Sequence, residues 1–172
     1  IELAGGDSSR AVALFQEARR DTDKSPKLVK QIEYWLGRCY RQQGRSEQEV
    51  QAYRRAVSIP PIDDPMPREA LGDALFRQGR YDDALTQYQV IATESRPATM
   101  LQKTRLSIIA MSRRPAIGRN WEGIESDVEA LVVRLPDEPV AQLLKMKLLM
   151  IRGRLEDAAT FLDSLCEQHP DQ

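Results

Sequence analysis

A single histidine, two cysteines and the lack of any long apolar run narrow what this chain can do. His169 stands beside Pro170 at the C-terminal end, the position of a solvated or turn residue, and no Ser-His-Asp or Cys-His set assembles around it. Cys39 and Cys166 lie too far apart in sequence for a disulfide framework or a metal-ligand spacing. Both fall in helical patterns, where a free cysteine is expected to act as a small buried hydrophobe. The longest tempting apolar piece, LSIIAMS at 106–112, sits between Arg105 and Arg113 and is far short of the roughly 20 residues a membrane helix needs. Neither sign of charge dominates: the net charge is -1 and the pI about 6.0, so there is no overall basic field for nucleic acid. These shortages point away from catalysis, cofactors, metals, nucleic acid and a membrane span.

What the chain does have is a self-match. Laying LGRCYRQQGRSEQEVQAYRRAVSIPP (36–61) over LGDALFRQGRYDDALTQYQVIATESRP (71–97) superimposes Leu36 on Leu71, Gly37 on Gly72, Gly44 on Gly79 and Tyr53 on Tyr88. The shift is about 35 residues, the period of stacked helix-turn-helix units. Weaker copies continue in phase. GGDSSRAVALFQEA (5–18) keeps Ala11, Phe15 and Ala18; WEGIESDVEALVVRLP (121–136) has Trp121 in the place of Tyr81; RGRLEDAATFLDSLCEQHP (152–170) keeps Gly153, Leu155 and Ala158. Small residues (Gly37, Gly72, Ala56, Ala84) allow paired helices to approach, and large ones (Leu36, Tyr40, Tyr53, Tyr88) fill the space between them. Gly44, Gly79 and Gly153 provide the permissive turn after each first helix. Prolines 61, 97, 136 and 170 stop the second helices.

This pattern of Leu, Gly, Gly, Tyr, Ala, Tyr and Pro resembles the tetratricopeptide repeat. The resemblance implies an all-α, right-handed superhelical solenoid of antiparallel helix pairs, with about nine helices in about 4.5 repeats. Its units fall near 1–26, 27–61, 62–97, 98–136 and 137–170, and the whole of 1–172 is expected to form one array. Because Ile1-Glu2-Leu3 reads as the tail of a first helix, the array is expected to be part of a longer one. The copies depart from the family at several points. Glu33 and Arg68 stand where it often has Trp. Glu49 replaces the second-helix Ala, from which a looser or shifted helix is expected. SRRPAIGRN (112–120) lengthens the fourth unit's turn, and the first helix of that unit, near 98–112, lacks the Leu-Gly pair.

Such a fold presents its first helices on a concave face, which implies a protein-interaction scaffold that binds a peptide or partner domain in a groove; the alternative is a spacer or self-association segment of a larger protein. One helical stripe counted from the Leu-Gly pair selects Gln31, Tyr34, Arg38, Arg41 and Gln42, then Met66, Glu69, Asp73, Phe76 and Arg77. The partner-binding candidates are Tyr34, Arg38, Arg41, Glu69, Asp73, Phe76 and Arg77. The arginines suit a carboxylate or phosphorylated side chain, and Tyr34 and Phe76 suit peptide packing. The competing expectation is a solvated face in which Glu69 and Asp73 neutralise Arg41 and Arg77. The weaker units offer Leu101, Thr104, Ile108 and Met111, then Leu143, Lys147 and Met150, with core as the alternative for Ile108, Met111 and Leu143. Some tetratricopeptide proteins clamp C-terminal carboxylates using two asparagines; Arg38 and Ala70 occupy those positions here. Acid pairs carry no catalytic pattern: Asp82-Asp83 belongs to a first helical turn and Asp63-Asp64 to a loop, while Asp7 or Ser8 is expected to cap a helix.

Overall fold

A computed structural model describes residues 5–20, 25–60, 64–91 and 96–168. Among them the regular secondary structure is all α-helix: α1 (Gly5–Arg20), α2 (Pro26–Gln42), α3 (Ser46–Ser58), α4 (Pro65–Arg77), α5 (Tyr81–Val90), α6 (Pro97–Arg113), α7 (Glu122–Arg134), α8 (Pro139–Ile151) and α9 (Leu155–Gln168). Each helix packs on the next within two compact units, Ile1–Ala92 holding α1 to α5 and Thr93–Gln172 holding α6 to α9. His169, Asp63, Pro61 and Pro170 lie outside the described residues.

The turn glycines do what the repeat pattern requires. Gly44, Gly79 and Gly153 have φ of 69°, 76° and 71°, a left-handed backbone that side chains other than glycine tolerate poorly. Each closes its helix with the same pair of bonds. Gly44 N donates to Arg41 O at 3.0 Å and Arg45 N to Tyr40 O at 2.9 Å; the equivalents are Gly79 to Phe76 and Arg80 to Leu75, then Gly153 to Met150 and Arg154 to Leu149. This double bond satisfies carbonyls that the helix end would otherwise orphan. The arginine after each glycine then reaches the residue three further on: Gln48, Asp83 and Asp157. At the other end, α2, α4, α6 and α8 all begin on a proline, whose missing N–H costs nothing at a first helical position. Ser25, Asp64 and Glu138 cap three of them. Pro97 therefore starts a helix, a role the pattern had given to stopping one.

In the first unit Val12 of α1 joins Ile32, Leu36, Cys39, Tyr40 and Ala52 in one buried cluster. Fully burying a side chain such as Leu36 contributes about 2 kcal/mol. The hairpins close because glycine faces tyrosine. A Cβ on Gly37 would lie 2.6 Å from Tyr53 Cδ1, and one on Gly72 would lie 2.6 Å from Tyr88 Cε2. The α2–α3 pair is therefore as close as the α4–α5 pair, and Glu49 does not loosen it. In the second unit, Ile108, Trp121, Ile124, Val128, Leu131, Ala141, Leu144 and Leu148 form the core, with Leu101 and Met111 packed against it. The 114–121 loop is held by Arg119, which donates to Arg114 O at 2.8 Å and Ser112 O at 2.9 Å.

Three local expectations are corrected. Cys39 is buried but Cys166 is exposed. The first described helix begins at Gly5, so Ser8 lies inside it, buried, within 3.4 Å of Gln43 Nε2, rather than serving as its cap. Thr104 is buried and lines no open face, while Ile108 takes the core place that was its alternative reading.

Gly37→Ala and Gly72→Ala should each lower the thermal midpoint, since overpacking at a closed contact costs about 1–3 kcal/mol and outweighs the roughly 1 kcal/mol of helix propensity gained. Gly123, on α7 with open space around it, should respond oppositely, with Gly123→Ala raising the midpoint. Thermal unfolding followed by circular dichroism reads both signs.

Candidate functional site

Six of the seven candidate residues meet in one place. Tyr34, Arg38 and Arg41 of α2 face Glu69, Asp73 and Arg77 of α4 across a cleft of about 350 Å3, whose wall also includes Tyr53 and Met66. Their convergence follows from the helix period: positions 34, 38 and 41 share one stripe, as do 69, 73 and 77. Phe76 is the exception, its ring meeting Tyr81 edge-on at 5.5 Å between centroids. Its position one residue before Arg77 turns it toward the following helix.

Several of these groups are already engaged. Asp73 accepts a hydrogen bond from the Tyr88 hydroxyl at 2.6 Å. Burial first, and then this carboxylate, push the Tyr88 phenol far above its ordinary pKa, so it remains a donor. Burial does the same to Tyr53, aided by the nearby charge of Glu49. Arg77 does not pair with Glu69 or Asp73. It pairs with Glu49 of α3, whose side chain is only 5% exposed. The substitution of Glu for Ala in this repeat is thus matched by a cation from the next helix. Burial raises the Glu49 pKa, and Arg77 and Arg41 pull it back.

A second carboxylate is handled in the same way. Glu33, 3% exposed, receives Arg55 Nε of α3 at 2.8 Å and Arg19 Nη1 of α1 at 3.3 Å. Lys30, also buried, lies 4.0 Å from Asp64. Once these pairs are formed, the cleft retains cations to spare. Among the described residues, Lys27, Arg38 and Arg41 have no ion-pair partner.

The stripe missed a second cavity, continuous with the first through Tyr34, Arg38 and Met66. It measures about 420 Å3 and is walled by Trp35, Pro67 and Gln31, with Lys27, Lys30 and Asp64 at its edge. Trp35 is 39% exposed. Its ring lies edge-on to Tyr34 at 5.7 Å and carries the Arg38 guanidinium 4.9 Å from its centroid. A tryptophan one position off the counted stripe was visible in the sequence. Its neighbour Met66, which the stripe did contain, stands across the same opening.

Comparisons with known proteins place this architecture. The profile described as tetratricopeptide repeat matches residues 1–67 and 68–99. No curated protein matches the chain. A tetratricopeptide repeat protein from Parabacteroides merdae ATCC 43184, solved by crystallography, is similar in structure with a TM-score of 0.79 and 20% sequence identity, a likeness of fold. The match covers 97% of this chain and 62% of that one, so the chain spans less than two thirds of that protein's length.

The Glu49–Arg77 pair yields a pH-dependent prediction. Arg77→Ala removes the ion-pair partner of a buried carboxylate and should cost about 3 kcal/mol at neutral pH, whereas Glu49→Ala, which restores the small residue of the next repeat, should stay within about 1 kcal/mol. The folded-state pKa of Glu49 already lies above its unfolded value, and losing Arg77 raises it further. Native Glu49 then holds its proton more tightly than the unfolded chain does, so stability falls as pH rises from the ordinary carboxylate range through the raised value. The deficit of Arg77→Ala should therefore shrink on acidification; urea unfolding of both variants across that range checks it.

Proposed function

The chain belongs to the tetratricopeptide repeat family, whose members are generally protein-interaction modules, and on that premise we propose that it binds a peptide or partner segment in the cleft between α2 and α4. The units near 1–26, 27–61, 62–97, 98–136 and 137–170 act as one scaffold, without catalysis. Among the described residues no helix is long and apolar enough to cross a membrane. The observation that carries the reading is the convergence of Tyr34, Arg38, Arg41, Glu69, Asp73 and Arg77 on a single opening, with Arg38 and Arg41 forming no ion pair among the described residues. Two guanidinium groups outside the ion pairs, with aromatic rings beside them, offer bidentate hydrogen bonds and apolar contact to the same ligand. Within the cleft the roles divide. Tyr34, Arg38 and Arg41 contact the partner, Arg77 keeps Glu49 paired, and Asp73 is oriented by Tyr88.

Charge reversal at Arg38 and Arg41, which form no ion pair among the described residues, tests the reading, with Arg38→Glu alone as a control because Arg41 also acts on the buried Glu49. The chain and its Arg38→Glu/Arg41→Glu variant, matched in helical circular dichroism, are used to capture proteins from lysate of the source cells. A protein retained by the first and lost by the second is the expected result. Identical retention by both, or none by either, overturns the assignment of binding to the cleft.

A further inference from the structure

The apolar cavity beside the arginines specifies what the ligand must carry. Resting on the groove reading above, we propose that the occupant is a peptide segment of another protein presenting one large apolar or aromatic side chain, seated against Trp35, with aspartate or glutamate close to it in sequence. The seat is built from Tyr34, Trp35, Met66 and Pro67 and encloses about 420 Å3, within the range of about 300–1,000 Å3 typical of pockets that hold ligands. Trp35 and Met66 are 39% and 50% exposed, so a guest removes two large apolar surfaces from water at once. Arg38 over the Trp35 ring both fixes the indole and places a cation at the lip of the seat.

Charge decides the flanking residues. Among the described residues that line the seat there is one acid, Asp64, which caps α4 and faces Lys30. Lys27, Arg38 and Arg41 carry the remaining field, all on α2 and on both sides of Trp35. Positions 35 to 41 of a helix span about 9 Å at 1.5 Å per residue, which an extended peptide covers in about three residues at 3.4 Å each. The carboxylates therefore belong within about three positions of the anchor. At the far end of the cleft Glu69 and Asp73 present acids, which disfavours a uniformly anionic polymer and suits a segment whose charge turns neutral or basic there.

The test is selection of a phage-displayed random dodecapeptide library on the whole chain, followed by anisotropy titrations of the synthesised winners. The titrations use wild type, Trp35→Ala and Arg38→Glu/Arg41→Glu, each checked for unchanged helical content, with wild-type self-association measured by sedimentation. Expected is an enriched pattern of one large apolar residue with an acid within three positions. Trp35→Ala, or alanine in place of the peptide's anchor, should weaken binding by about tenfold or more, and added salt should weaken it further. Winners that lack the pattern yet lose affinity on the double charge reversal would overturn the anchor and leave the groove reading standing. Failure to enrich, winners indifferent to every substitution, or a dimer dissolved by the charge reversal would overturn both.

Discussion

The seat of a tyrosine ring on a bare glycine backbone is the contact on which the first unit depends. At Gly37 and Gly72 the space a Cβ would need is taken by Tyr53 and Tyr88, so any side chain there would push the helix pair apart or displace the ring. Closure does more than bury area. It delivers the Tyr88 hydroxyl to Asp73 and makes Tyr53 part of the cleft wall between α2 and α4. The contact that builds the hairpin thus also shapes the surface facing a ligand, and a change at the glycine would be felt at the cleft.

The ionic groups divide between holding the helices together and facing outward. Glu33 and Glu49 are nearly inaccessible, and each is answered by arginines from neighbouring helices. A buried carboxylate with such partners adds little net stability over an apolar residue of similar size, but removing a partner is expensive. These pairs therefore act as register marks, tying α1 to α2 and α3 to α4. Gln78, donating to Ser46 O at 2.9 Å, adds a neutral tie between the same repeats. Arg38 and Arg41 take part in none of the ion pairs among the described residues and face the cleft, which therefore carries a field that a ligand can use.

The cleft was partly legible before any coordinates. A helical period places Tyr34, Arg38 and Arg41 on one stripe whatever the partner helix does, and six candidates did converge. Phe76 left the group for Tyr81, and Trp35 entered it, because a stripe counted at whole residues cannot resolve a side chain at its edge. The expectation that Arg77 would answer Asp73 failed for a different reason. Nearness along one helix was outweighed by Glu49, 28 positions earlier in sequence, whose burial made an ion-pair partner far more valuable to it than to a half-exposed aspartate.

What the sequence determined by itself was the repeat: its period, the glycine turns and the small-large pairing. Each follows from backbone geometry and volume within one or two helices, and these leave a direct trace in residue spacing. Which charges are spent inside and which remain for a partner was decided only by tertiary structure. That outcome depends on burial and on distances between residues of different repeats, and spacing along the chain measures neither.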